Sequence, residues 1–166
     1  MNAPMPPSRI FPTLADLYAQ RGLELGPGQW MVVEQPRIDL FAEASGDDSW
    51  VHTDVDRAAR ELPGGRTYAH GYLGLSLITA LSQKLWRVGS LSQALLYGVD
   101  ECRFPAPVRA GDRVRLRQKL EQAEWRAPNA LKVGWRSVLE VEGSDKPACA
   151  ARTISLLFER MDRGNE

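Results

Sequence analysis

The sequence predicts an α+β domain in which an antiparallel sheet of about five strands wraps around one central buried helix. Three observations predict it. The chain has 166 residues, 43% of them hydrophobic and 25% charged, which is one ordinary soluble domain with a single continuous core. A long apolar helical pattern occurs once, from Gly71 to Trp86. Behind it, from Leu95 to Glu159, apolar and polar residues alternate as half-buried strands require.

Taken in order, Met1 to Pro12 carries four prolines and no apolar h-region, so it reads as a flexible arm and not as a signal peptide. Thr13 to Gly22 has a Thr cap, Leu14, Leu17 and Tyr18 at helical spacing and a glycine stop, the pattern of a short amphipathic helix. Trp30 to Glu34 reads as a strand. Arg37 to Ala44 is a second short helix with Ile38, Leu40 and Phe41, ended by Ser45-Gly46. Asp47 to Thr53 is a polar loop, Asp54 to Glu61 a third short helix, and Pro63-Gly64-Gly65 a breaker. In the first three turns after Gly71, apolar or small residues occupy every face, which predicts a helix buried all round. Leu95 to Phe104 is a strand closed by Pro105-Ala106-Pro107. Val114, Leu116 and Leu120 then alternate with Arg113, Arg115, Arg117 and Lys119. The alternation resumes after Pro128-Asn129 at Leu131, Val133, Trp135, Leu139 and Val141, and a last run spans Ala148 to Glu159. Together these predict an antiparallel meander. The domain is expected over residues 13–160, with 161–166 a loose C-terminus.

Several function classes drop out. With 21 basic and 21 acidic side chains the formal charge is zero, so no global field concentrates polyanions and a dedicated nucleic-acid binder is not expected. The longest largely apolar stretch, Gly71 to Leu81, is too short to span a membrane, and a cytoplasmic protein is the expectation. Cys102 and Cys149 form no CxxC and have no histidine nearby in sequence, so neither a zinc site nor a thioredoxin motif is read, and both are expected as buried small hydrophobes. A Cys/His nucleophilic pair has no local signature here.

The residues suited to chemistry cluster. Both histidines, His52 and His70, lie in the part of the chain that is neither meander nor arm, and an unperturbed histidine titrates near neutrality, where general acid-base work is done. Asp47 precedes His52 by five residues across the loop, so the two side chains can face one cavity and hold a water between them. Asp48 and Asp54 read as a solvated side chain and a turn or helix cap. His70 and Gly71 open the buried helix, whose first amides lack intrahelical partners and sit at the positive end of its dipole. Without a Cβ at Gly71, a ligand oxygen can approach the backbone. Trp50 and Tyr72 are either pocket wall or plain core. The stripe Arg113, Arg115, Arg117, Lys119 is either a solvated strand face or a phosphate contact.

Three strings, SGD-x4-H-x-D over Ser45 to Asp54, AHG over Ala69 to Gly71, and Arg103-Phe104-Pro105-Ala106-Pro107-Val108 with Gly111-Asp112, occur in that order. In this the chain resembles the MaoC-like dehydratases, the hot-dog-fold (R)-specific enoyl-CoA hydratases, over about Arg37 to Phe158. Tyr97-Gly98, Asp145 to Cys149, and Ser49-Trp50 where the commoner family form has Asn-Pro resemble the nodulation protein N-like branch. The resemblance implies Asp47 and His52 as the catalytic pair and the Gly71 amide as the carbonyl-polarising donor; His70, at the helix start, is read as orienting the loop, with direct substrate contact as the alternative, and Trp50 and Tyr72 are the candidate substrate-side aromatics. It further implies an acyl-CoA or acyl-carrier thioester as substrate, R stereochemistry, no metal or redox cofactor, and a homodimer with paired sheets. The rival readings are a hot-dog acyl thioesterase and a non-catalytic thioester-binding accessory protein, since a fold alone does not fix function.

Overall fold

The computed structural model describes residues 9–160. They run β1 (Arg9–Phe11), α1 (Leu14–Tyr18), β2 (Glu24–Leu25), β3 (Met31–Val33), α2 (Gln35–Ser45), α3 (Trp50–Thr53) and α4 (Val55–Glu61). The long elements follow: α5 (Gly71–Leu85), β4 (Trp86–Val88), β5 (Leu91–Arg103), β6 (Asp112–Ala127), β7 (Ala130–Val141) and β8 (Cys149–Glu159).

Six strands form the main sheet, in the order β2-β6-β7-β8-β5 with β3 also on β6, all antiparallel. The alternation read in β6 holds, with Val114, Leu116 and Leu120 buried while Arg113, Arg115, Arg117 and Lys119 point to the other face. A register shift after Leu120 then brings Ala123 inward. One core results, in which Leu77, Ile78, Leu81 and Leu85 of α5 meet Leu116, Leu120, Leu131, Val133, Leu139 and Leu157 of the sheet. Burying such side chains stabilises the fold by about 1.5–3 kcal/mol each.

Four expectations are corrected. Of the expected arm, residues 1–8 lie outside the described residues, but Arg9–Phe11 pairs in parallel with β4 and Phe11 is buried, its ring edge-on to Trp86. The expected tail 161–166 also lies outside them. The polar loop before Asp54 contains α3, one short turn begun at Ser49 and closed by the Asp54 amide on the Trp50 carbonyl (3.0 Å). The central helix is not buried all round: Leu73, Gly74, Leu77, Ile78, Leu81 and Leu85 face the core, whereas Tyr72, Ser76, Thr79, Ala80, Gln83 and Lys84 are exposed. The sheet of a single chain covers only one side of it. The meander holds only for β6, β7 and β8. β5 crosses over to pair with β8 and forms the sheet edge. Neither β2 nor β4 was anticipated, because two or three residues carry no legible periodicity.

Candidate active site

The site is built where α2 ends. Gly46 adopts φ 75°, the left-handed conformation that closes a helix, and its amide donates to the Ala42 carbonyl. The chain turns there, so Asp47 emerges with its amide on the Ser45 hydroxyl (3.3 Å) and its carboxylate more than half exposed. α3 then places His52. The Tyr68 amide donates to the Val51 carbonyl (2.9 Å) and the Ala69 amide to the Val108 carbonyl (2.7 Å). Residues 68–70 thus run between α3 and the segment after β5, and deliver His70 and Gly71 to the start of α5.

These segments bring Asp47, His52 and His70 together. His52 Nδ1 lies 2.7 Å from the Tyr68 carbonyl oxygen. A carbonyl only accepts, so Nδ1 carries the proton and donates, leaving the lone pair on Nε2 when the ring is neutral. That Nε2 is 4.0 Å from Asp47 Oδ2, too far for a direct hydrogen bond. Two bonds of about 2.8 Å meeting near a right angle span that gap, which is the geometry of one bridging water. His70 is 4% exposed, and its Nε2 donates to the Asp47 carbonyl (2.8 Å). Its Nδ1 has no partner among the described residues. The two imidazoles stack with centroids 3.7 Å apart, and Phe41 packs on His70 at 5.0 Å.

Gly71 is the first residue of α5, and its amide lies outside the helical ladder. A Cβ there would stand 3.2 Å from the Phe104 ring, so the glycine also makes room for that aromatic. A cleft of about 250 Å³ opens beside it, walled by His70, Gly71, Gly74, Phe104, Val108 and Ala148. Tyr72 points outward, 72% exposed, with its ring edge-on to Phe104. Trp50 is placed differently: the Arg57 guanidinium covers its ring at 4.0 Å, and it does not line this cleft.

Gln35 and Thr67 were not singled out from the sequence. Gln35 Nε2 donates to the His52 carbonyl (2.8 Å) and to Asp39 (2.7 Å), while Thr67, itself buried, donates to Gln35 Oε1. They hold the backbone of α3. A glutamine beside a proline carries no sequence signal for that role.

Asp47, His52 and His70 each offer one ligand atom, all within 4.8 Å of one another. With His70 Nε2 donating to the Asp47 carbonyl, a cation could keep only Asp47 Oδ2 and His52 Nε2 without breaking the loop contact, which is a poor set for a divalent ion. Every member of the arginine stripe has an acidic neighbour, Lys119 pairing with Glu24. Arg115 and Arg117 both pair with Glu140, and Arg113 with Glu142. Burial pushes the Glu140 carboxyl up, but the two guanidiniums outweigh it and hold it below its ordinary range. Cys149 is buried and Cys102 half-buried, with sulfurs 3.9 Å apart. No helix among the described residues is long and apolar enough to cross a membrane.

A central helix cradled by an antiparallel sheet, with Asp47, His52 and His70 gathered at its N-terminus, is the hot-dog fold. The chain belongs to the MaoC-like domain family, whose sequence model matches residues 19–138. It is 40% identical over 146 residues to 3-hydroxyacyl-thioester dehydratase Z of Mycobacterium tuberculosis, covering 88% of this chain and 96% of that one. It is 38% identical over 153 residues to nodulation protein N of Rhizobium leguminosarum bv. viciae, covering 91% and 95%. Its fold is that of the R-hydratase PhaJ1 from Pseudomonas aeruginosa, with TM-score 0.66, 22% identity and coverage of 90% and 88%.

Proposed function

We propose that the protein reversibly hydrates trans-2-enoyl thioesters to (R)-3-hydroxyacyl thioesters, with Asp47 and His52 activating the water. The observation that carries the reading is the 4.0 Å gap between Asp47 Oδ2 and His52 Nε2, set beside the free amide at the start of α5. Hydration adds OH at Cβ and H at Cα, so the proton the dyad takes from water is balanced by the one delivered to Cα, and the dyad ends as it began. Charge that develops on the thioester oxygen meets the Gly71 amide and the positive end of the α5 dipole, which need not reorganise. These residues need no metal or redox group for that chemistry. The activity of the relative at 40% identity, a 3-hydroxyacyl-thioester dehydratase, agrees with the substrate class.

The working unit in this reading is a homodimer. β5 is a sheet edge of thirteen residues with Leu95 45%, Leu96 64% and Tyr97 65% exposed, a long apolar edge that proteins normally cover. A second copy paired along β5 would cover it.

The direct test incubates the protein with trans-2-butenoyl-CoA, follows loss of enoyl absorbance, and resolves the enantiomers of the product. Formation of the (R)-3-hydroxy thioester is expected. Release of free thiol with no hydration would indicate a thioesterase instead.

A further inference from the structure

The two cysteines take no part in the chemistry above, and the sequence holds no others. They lie on neighbouring strands, Cys102 near the end of β5 and Cys149 at the start of β8, with sulfurs 3.9 Å apart. That is about 1.9 Å longer than a disulfide bond. An irregularity of the sheet brings them together. Asp100 faces outward, so strict alternation would turn Cys102 outward as well. Instead β5 shifts register between Asp100 and Arg103, and Glu101 takes φ 53°, a left-handed conformation uncommon for a residue with a Cβ. Asp100 and Glu101 thereby both face out, on Arg152 at 2.7 Å and Arg136 at 3.9 Å, and Cys102 packs inward against the core.

The pair sits at the root of the active-site cleft. Phe104 follows Cys102 by two residues, and Ala148 immediately precedes Cys149. Both are walls of the cleft, and the Phe104 ring is what a Cβ at Gly71 would touch. The Ala106 amide donates to the Pro147 carbonyl (3.1 Å), which ties the two wall segments to each other.

We infer that Cys102 and Cys149 are a site of oxidative modification, which hydrogen peroxide converts to a reversible disulfide that reshapes the cleft. The pairing stands apart from the hydratase reading; only the turnover that it lowers rests on that reading. Cys102, half-buried, is the more accessible sulfur and reacts first, while Cys149 is fully buried and stays protonated, its thiol pushed up to about 12 by burial and then by Cys102. The Cys102 thiolate attacks one peroxide oxygen. An S–O bond forms, the O–O bond breaks, and the departing hydroxide takes up the proton the thiol released, leaving a sulfenic acid and one water. The Cys149 sulfur then attacks the Cys102 sulfur: the S–S bond forms, the S–O bond breaks, and the hydroxyl leaves with the Cys149 proton as a second water. Each sulfur gives up one electron and the peroxide takes both. A dithiol reverses the step by exchange and is itself oxidised to a disulfide. Closing the sulfurs by about 1.9 Å draws on the bulge and on the start of β8, the segments that carry Phe104 and Ala148. A misplacement of about 1 Å around reacting groups can cost about a hundredfold in rate.

The experiment treats the native protein with hydrogen peroxide, alkylates it in denaturant and measures its mass, for the wild type, Cys102→Ser and Cys149→Ala. The wild type should lose both thiols together within one chain, with no oxygen added at either cysteine, and regain both in dithiothreitol. Cys102→Ser should keep Cys149 open to alkylation, and Cys149→Ala should carry Cys102 on to the sulfinic acid. Turnover of trans-2-butenoyl-CoA should fall at least about tenfold in the oxidised wild type, return with dithiothreitol, and not respond to peroxide in Cys102→Ser. A second measurement needs no turnover: with only two histidines in the chain, the imidazole proton resonances report on the cleft, and the His70 signal should shift on oxidation and return on reduction. Oxidation of Cys102 alone to the sulfinic acid in the wild type would overturn the inference, as would a disulfide that moves neither the rate nor the His70 signal. A protein without enoyl turnover whose disulfide still forms and shifts that signal would sink the hydratase reading and spare the cysteine pair.

Discussion

The rings of His52 and His70 lie 3.7 Å apart with 27° between their planes, and each spends one nitrogen on a carbonyl of the other's segment. His52 Nδ1 donates to Tyr68, two residues before His70, and His70 Nε2 donates to Asp47, five before His52. The two strands of chain are thereby clamped reciprocally, and the clamp leaves His52 Nε2 as the nitrogen facing Asp47.

The clamp makes His70 a positioning residue. His70→Phe keeps ring volume and stacking but removes the donor, so the Asp47 backbone loses its tether. Turnover should fall by about ten- to a hundredfold, as for other outer hydrogen-bond partners of a catalytic side chain, with KM little changed and stability lowered by about 1–3 kcal/mol. Steady-state kinetics with thermal unfolding checks both. Unchanged kcat would mean that the loop is held without His70.

Gly71 and Phe104 form a second coupled pair. In Gly71→Ala the new methyl meets the Phe104 ring at 3.2 Å, so either the ring or the start of α5 must give. Activity should drop by more than tenfold, because the amide proposed to polarise the carbonyl shifts with the helix start. Gly71→Ala with Phe104→Leu should recover part of it, which a double-mutant cycle reads as coupling.

Burial, and then the neighbouring Cys102 thiol, push the Cys149 thiol up to about 12. In the unfolded chain this thiol ionises near its ordinary value of 9.0. Between those values the unfolded state holds fewer protons than the folded one, so stability falls as pH rises from 9 toward 12. Cys149→Ala should show a shallower alkaline loss in denaturant melts. In native protein at pH 8 a thiol reagent should label Cys102 well before Cys149, since the thiolate is the reactive form.

The exposed β5 edge predicts assembly. Leu96→Lys and Tyr97→Glu together should leave α5 and the core intact but shift the protein from dimer to monomer in sedimentation or light scattering. An unchanged mass would show that β5 is not the seam.

Much of this was legible in the sequence, for identifiable reasons. β6 and β7 announce themselves by strict alternation, and α2 by its closing Ser45-Gly46. Asp47 and His52 are local, five residues across one loop, so the sequence already places them side by side, while their proposed role comes from the family resemblance. What was not legible depends on contacts distant in sequence. Gln35 reaches His52 and Thr67 only once α2 and the segment before α5 are packed. β5 joins β8 and not β6, because the chain crosses over α5, and periodicity holds no record of strand order. The exposed side of α5 looked buried because Ser76, Thr79 and Ala80 are small, and small residues suit either environment. Trp50 read as pocket wall or plain core, but Arg57, in the first turn of α4, takes its ring.

Joint activation of one water by Asp47 and His52 is put to the test by hydration of trans-2-butenoyl-CoA in Asp47→Asn and His52→Gln. Asp47→Asn preserves shape while removing a proton acceptor; His52→Gln removes the acceptor together with the stacked ring and its Nδ1 bond to Tyr68, so some loss of stability, about 1–3 kcal/mol, is expected there. Each variant should lose about 10²- to 10⁴-fold in kcat while still unfolding cooperatively, and the double variant should lose little more than the worse single one, as groups acting as a unit do. Full turnover in either correctly folded variant would contradict the account.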